Sequence, residues 1–375
     1  MFGTILQTAS ALMHLYVFWR ASKVPALTRL VSRRGLGVAT FGLWSSVLLS
    51  RFLRHQVSGP LASVLELFGM TWLATVFLLF VSLLAVDLLT GYGRLLPRLA
   101  PQLRGAALAA AALMAVIGIV QASRAPAVVE HEVSLPGLPP ELDGAVLVAL
   151  ADLHLGTRRG AEWLAARAAQ VKALEPELIV LLGDNFDGRR IPDADALRPA
   201  LRSLSAPLGT WAVLGNHDLH HGRATGVELL ESAGIGVLRD RWTALRPGLV
   251  LAGVDDLTRR GRTRKLAGAI AEAMSGRPAG ATIVLSHSPL RAEEAASEGA
   301  GLMLSGHTHG GQIWPFGLFV KLGYSLVAGR YEVGKMATIV SRGTGLWGPH
   351  MRLWHRGEIL KVTLRSSEGA PALPG

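Results

Sequence analysis

The stretch VLVALADLHLG, residues 146–156, decides the reading of this chain. Its first six residues are apolar without interruption, and then Asp152 and His154 appear two positions apart. A continuous apolar run of this length predicts a strand buried on both faces, as in a sheet sandwiched by helices. The polar residues at its end predict a ligand site, because α/β folds gather ligands at the carboxyl ends of strands.

The same grammar recurs outward along the chain. ELIVLLGDNFDG (177–188), TWAVLGNHD (210–218), LVLAGVDD (249–256), ATIVLSHSP (281–289), LMLSGHTHGG (302–311) and MATIVSRGTG (336–345) each run apolar and then turn polar. Segments of helical periodicity lie between several of them: AEWLAARAAQVKAL (161–174), DALRPALRSL (195–204) and RTRKLAGAIAEAM (262–274). No internal repeat is visible. An α/β domain is therefore predicted over 144–375, preceded by a proline-rich linker and first strand over 122–143.

Five polar clusters fall at the predicted strand ends: Asp152 with His154, Asp184 with Asp187, Asn216 with His217 and Asp218, His287 alone, and His307 with His309. Carboxylate, amide and imidazole together suit divalent first-row metals rather than calcium, which prefers oxygen alone. The chain has no cysteine, so thiolate sites are excluded. In extended backbone the members of Asp152-x-His154 and His307-x-His309 would project to one side. Gly183, Gly215 and Gly306 permit sharp turns or close backbone approach where strand gives way to loop.

The ordered series Asp-x-His, Gly-Asp-x-x-Asp, Gly-Asn-His-Asp, isolated His and Gly-His-x-His resembles the calcineurin-like metallophosphoesterase superfamily over about 150–310. GHTHGGQIWPFG (306–317) and VSRGTGLWGPHMRL (340–353) extend the resemblance toward its branch of membrane-attached bacterial phosphodiesterases and transmembrane relatives. The resemblance implies a four-layer αββα sandwich and a two-metal centre. One ion would be held by Asp152, His154, Asp184 and His309, the other by Asp184, Asn216, His287 and His307, with Asp184 bridging. His217 would be the general acid or leaving-group stabiliser, oriented by Asp218. Manganese is favoured over iron, zinc and magnesium.

Other residues leave alternatives open. Asp187 is as readily a turn residue as a ligand neighbour and stays outside the metal set. Gly310, Gly311 and Gln312 could cradle a phosphate through their amides or simply let the chain turn away. Arg158, Arg159, Arg189 and Arg190 could meet an anionic substrate, and His220 and His221 read as a solvated loop. Trp314, Phe316, Phe319, Trp347 and Trp354 could line an apolar entrance, touch a membrane surface or pack in the core.

The first 121 residues have a different texture. Four apolar stretches, near 2–19, 36–53, 61–86 and 105–121, approach the roughly 20 residues a bilayer span needs. A bundle of about four transmembrane helices is expected over 1–121, with Glu66 and Asp87 near the interfaces. Of the net charge of +11, this region carries +8, from ten basic and two acidic side chains. The surplus is thus a property of membrane loops, and the near-balanced remainder argues against nucleic acid as partner. Loop one (Arg20, Lys23, Arg29, Arg33, Arg34) and loop three (Arg94, Arg98, Arg104) are richer in arginine and lysine than loop two. The positive-inside rule then places the domain after residue 121 on the non-cytoplasmic side of a bacterial inner membrane. The expected function is hydrolysis of a phosphodiester or lipid-linked pyrophosphate by a metal-activated water. A catalytically silent membrane sensor or scaffold is the alternative.

Overall fold

The computed structural model describes residues 2–56, 60–156, 158–187, 191, 193–219, 223–263 and 266–366. It divides into two compact units, Met1–Arg124 with Gly348–His355, and Ala125–Trp347 with Arg356–Gly375.

In the first unit the four apolar stretches form the helices Phe2–Ala21, Arg33–Gln56, Pro60–Leu89 and Ala100–Ser123. Among the described residues, two spans within them, Ser63–Leu89 and Ala100–Ser123, are long and apolar enough to cross a membrane. The expectation of four such helices is narrowed accordingly. The second helix carries Arg33, Arg34 and Arg51, which leave too short an uncharged run. The first carries Gln7, His14 and Arg20, and His14 and Arg20 are buried.

Asp87, two residues before the end of the helix Pro60–Leu89, is fully buried. Tyr16 donates to its carboxylate, Arg20 pairs with it, and Arg104 donates through Nε and Nη2 at 3.0 and 2.8 Å. Arg20 and Arg104 follow different spans, so the first and third loops share one end of this unit. The segment 348–355, unforeseen here, is held by the last helix: Arg352 N–H donates to the Gly118 carbonyl at 2.9 Å. Trp354 N–H likewise donates to Gln121 Oε1 at 3.0 Å.

The second unit contains strands β1 (Ala127–Leu135), β2 (Val146–Leu150), β3 (Leu178–Leu182), β4 (Thr210–Val213), β5 (Gly236–Val237) and β6 (Arg241–Arg246). It continues with β7 (Leu249–Val254), β8 (Ala281–Ser286), β9 (Leu302–Ser305), β10 (Gly329–Val333), β11 (Met336–Val340) and β12 (Glu358–Ser366). They form two six-stranded mixed sheets, ordered β1-β12-β2-β3-β4-β5 and β10-β11-β9-β8-β7-β6. The central strands β2 to β4 and β7, β8, β9 and β11 are parallel.

Side-chain alternation explains why these runs are apolar throughout. Leu147, Ala149, Val180 and Leu182 point inward against Leu251, Ile283, Leu285 and Leu304 of the other sheet. The intervening Val148, Leu150, Ile179 and Leu181 pack outward on Leu164, Ala168, Leu197, Leu201 and Leu230 of helices. Ala252, Val254, Val284 and Met303 do the same on the far face, against Ile270, Met274 and Ala295. Helix, sheet, sheet and helix therefore follow in succession, with the central strands buried on both faces.

Candidate metal centre

Asp152 and His154 follow β2, Asp184 follows β3, Asn216 follows β4, His287 follows β8, and His307 and His309 follow β9. The parallel sheets bring these ends together. Beyond the strands the first two loops still run side by side, with Asp152 N–H donating to Gly183 O at 3.1 Å and His154 N–H to Asp184 O at 2.9 Å.

The expected extended alternation of the paired ligands is corrected here. Asp152, His154, Asp184, His307 and His309 have φ of 54°, 46°, 49°, 71° and 50°, in the left-handed region that costs non-glycine residues energy. After β2, β3 and β9 a strained turn held by hydrogen bonds, and not the pleat, brings these side chains together. Gly215 shows how tight the packing is, since a Cβ there would lie 2.1 Å from Asp184 Oδ1. At Gly183, φ is +85° and a Cβ would lie 2.8 Å from His287 Nδ1.

Three overlapping groups of donors result: His154, Asp184 and His217 form the middle one, and two others flank it. Asp152, His154 and His309 form one, with His309 Nε2 3.4 Å from Asp152 Oδ1. Asp184, His287 and His307 form the other, with His287 Nε2 3.4 Å from Asp184 Oδ2 and 3.1 Å from His307 Nδ1. Asn216 Oδ1 joins it, 3.3 Å from His287 Nε2. His154 Nε2 stands 3.8 Å from Asp184 Oδ2, so Asp184 faces both groups.

The chemistry of these donors fits a cation. His287 donates Nδ1–H to the Leu182 carbonyl at 2.8 Å, which leaves Nε2 aimed at a carboxylate, an amide oxygen and another imidazole nitrogen. Of the buried His154 ring, Nδ1 stands 3.5 Å from Asp187 Oδ1, while Nε2 has no hydrogen-bond partner. A cation between them would satisfy the nitrogens and oxygens that converge here.

The titration of the groups shows the same tension. Burial, with the neighbouring Asp184 charge, raises Asp152 to about 6. Burial would also raise Asp184, yet the charges and hydrogen bond of surrounding imidazoles outweigh it and hold its pKa down. His307 is lowered to about 4 by burial and by His287.

His217 lies beside this centre, its N–H donating to Asp184 Oδ1 at 2.8 Å. Its ring Nδ1 is 2.9 Å from Asp187 Oδ1. The expectation that Asp218 orients this ring is corrected: the Asp218 carboxylate accepts from the backbone N–H groups of Gly215, Asn185 and Phe186 and the Asn185 side chain. Asp218 braces the turn, and Asp187 orients the imidazole. Burial works against a charged His217, but the Asp187 hydrogen bond and the Asp184 charge outweigh it and raise its pKa.

The remaining candidates separate by contact. Arg159 is buried and donates to the carbonyls of Leu153, His154 and Leu346, so it clamps the first ligand loop instead of facing solvent. Gly310 N–H donates to Thr308 Oγ1 and Gly311 N–H to the Thr308 carbonyl, so those amides close a turn and cradle nothing. Trp314, Phe316, Phe319, Trp347 and Trp354 are exposed, which removes core packing as their role. Arg189, Arg190, His220 and His221 lie outside the described residues.

Tyr324 was not anticipated: its hydroxyl is 2.6 Å from His307 Nε2. Fifteen positions beyond His309 in an apolar segment, it carries no local signature.

A family model described as calcineurin-like phosphoesterase matches residues 145–311. The chain is 34% identical over 273 residues to the transmembrane protein with metallophosphoesterase domain of Danio rerio, covering 70% of this chain and 62% of that one. It is 33% identical over 218 residues to an uncharacterized metallophosphoesterase of Aquifex aeolicus, covering 57% and 82% respectively. An uncharacterized metallophosphoesterase of Bacillus subtilis is 33% identical over 257 residues, with 64% and 85% covered. The chain thus spans 62% of the length of the Danio rerio relative and 61% of a Bos taurus one.

Proposed function

We propose that this chain, which belongs to the calcineurin-like phosphoesterase family, is a membrane-anchored hydrolase of phosphoester bonds that works with two divalent cations. The observation that carries the proposal is the confrontation of Asp152 and Asp184 with four imidazoles. Among the described residues no lysine or arginine pairs with either carboxylate.

One cation would be held by Asp152, His154, Asp184 and His309, the other by Asp184, Asn216, His287 and His307. Among manganese, iron, zinc and magnesium, all compatible with mixed oxygen and nitrogen donors, we favour manganese. When bound, such ions neutralise charge on a phosphoryl group and make a water acidic enough to serve as nucleophile near neutral pH.

The protein's own groups do the rest. Asp187 accepts from His217 Nδ1–H and so fixes the ring, leaving Nε2 to donate a proton to a departing alkoxide. Asp218 fixes the Gly215–Asp218 turn against the Asp184 loop. The Leu182 carbonyl and the Tyr324 hydroxyl fix the ring planes of His287 and His307.

The helices Ser63–Leu89 and Ala100–Ser123 support membrane anchoring. Anchoring raises the local concentration of lipid substrates, which favours a phosphodiester or lipid-linked pyrophosphate. The loop between these two helices, with Arg94 and Arg98, favours the cytoplasmic side, and with it a catalytic unit beyond the bacterial plasma membrane.

The test is hydrolysis of bis-p-nitrophenyl phosphate and p-nitrophenyl phosphate by detergent-purified protein, after chelation and re-addition of Mn²⁺, beside Asp184→Ala. Restored activity that the variant lacks is expected, with the diester preferred. Inactivity of folded, metal-loaded wild type toward these and toward lipid phosphoesters would favour a silent sensor.

A further inference from the structure

The exposed apolar side chains of the sheet-bearing unit are not scattered. Seven large ones stand exposed among its described residues, and five, Trp314, Phe316, Leu318, Phe319 and Leu322, fall in one nine-residue stretch. Leu322 is 85% exposed and Leu318 59%. Trp347, a sixth, is tied to the same stretch: Gln312 Nε2 donates to its carbonyl at 3.0 Å, and its N–H donates to Gln312 Oε1 at 3.1 Å.

Both ends of this lip are fixed to the metal centre. It leaves the turn His309–Gly311 directly after a ligand, and it returns at Tyr324, whose hydroxyl meets His307. The short helix Gly317–Val320 in between holds Phe316 and Phe319 with ring centroids 5.9 Å apart, and Lys321 is exposed beside them. A contiguous apolar patch marks an interaction surface. Aromatic rings and leucines beside a lysine are the composition of an element lying in a bilayer interface, with rings at headgroup level and the amine reaching water. The same chain carries two helices long enough to cross that bilayer.

We infer that the lip 313–322 inserts into a lipid surface and presents the metal centre to phosphoester groups at headgroup level. This deepens the proposed hydrolysis and rests on it for the substrate class, namely lipids whose phosphoester lies at the membrane surface. Soluble diesters would reach the centre without it.

The test uses the full chain in phosphatidylcholine and phosphatidylglycerol proteoliposomes. Because the protein has no cysteine, single Leu318→Cys, Leu322→Cys and Ser297→Cys variants can each be labelled with an environment-sensitive nitrobenzoxadiazole probe. Ser297, on the helix Ala292–Ser297, is an exposed control. Spin-labelled lipid is expected to quench the two lip probes about threefold more than the control, with blue-shifted emission. Equal quenching at all three positions would overturn the inference. So would a blue shift without lipid quenching, which would mean that protein, such as a second copy, covers the lip. Bis-p-nitrophenyl phosphate hydrolysis in the same vesicles separates this failure from failure of the phosphoesterase reading, because the soluble diester does not need the lip.

Discussion

Each unit of the chain buries carboxylate, Asp87 in one and Asp152 with Asp184 in the other, and the two cases are resolved in opposite ways. Among the helices, Asp87 is met by Arg20, Arg104 and Tyr16, so the chain supplies the countercharge itself. At the sheet ends, Asp152 and Asp184 are met by imidazoles and backbone amides, and among the described residues no arginine or lysine pairs with them. A buried acid closed by its own arginines is a clamp, whereas one left among acceptors is a site.

That contrast can be broken by substitution. The largest effect is expected at Asp184→Ala, which should lose bound metal and fall to background diester hydrolysis. Asp87→Ala should instead leave two buried arginines unpaired, costing about 3–5 kcal/mol of stability while metal content holds. Thermal unfolding and elemental analysis of the two proteins separate these outcomes, and metal loss in Asp87→Ala would erase the distinction.

Within the catalytic unit, His217→Gln should lower kcat for the diester by roughly 10²–10⁴-fold with metal content unchanged. A drop in KM alone would deny it the role of proton donor. Asp187→Asn should reduce kcat about 10–100-fold through the misdirected ring, with little effect on stability. Asp218→Ala should do the reverse, lowering stability by about 1–3 kcal/mol for the backbone amides it abandons. If Asp218→Ala proves the more damaging to kcat in folded protein, the assignment of the two acids is inverted. The smallest effect, about tenfold or less, is expected for Tyr324→Phe, seen as weaker metal retention under chelator challenge.

Much of this was legible in the sequence, for a physical reason. Strands buried on both faces must be apolar throughout, so polar residues stand out at their ends, and every ligand candidate from Asp152 to His309 sits within four residues of a strand. What lay beyond reading was conformation and pairing. Left-handed backbone at Asp152, His154 and His307 leaves no trace in residue type, since its cost is met by packing and hydrogen bonds from distant segments. The spacing Gly-Asn-His-Asp suggests that Asp218 serves its neighbour His217, but the turn carries its carboxylate to backbone amides and brings Asp187 to the ring. Tyr324 and the segment 348–355 are placed by contacts remote in sequence, which no local pattern encodes. The helices were legible as apolar stretches, but the arginines at the ends of Arg33–Gln56 reduce what length alone suggests.

The central claim is that the sheet-end cluster is completed by metal. Elemental analysis of folded full-length protein, chelated, reloaded with Mn²⁺ and freed of excess ion, tests it most directly beside Asp184→Ala. Two ions per wild-type chain and a loss of both on removing the shared carboxylate are the predicted result. A folded wild type that retains none, or an Asp184→Ala protein that retains as much, would contradict it.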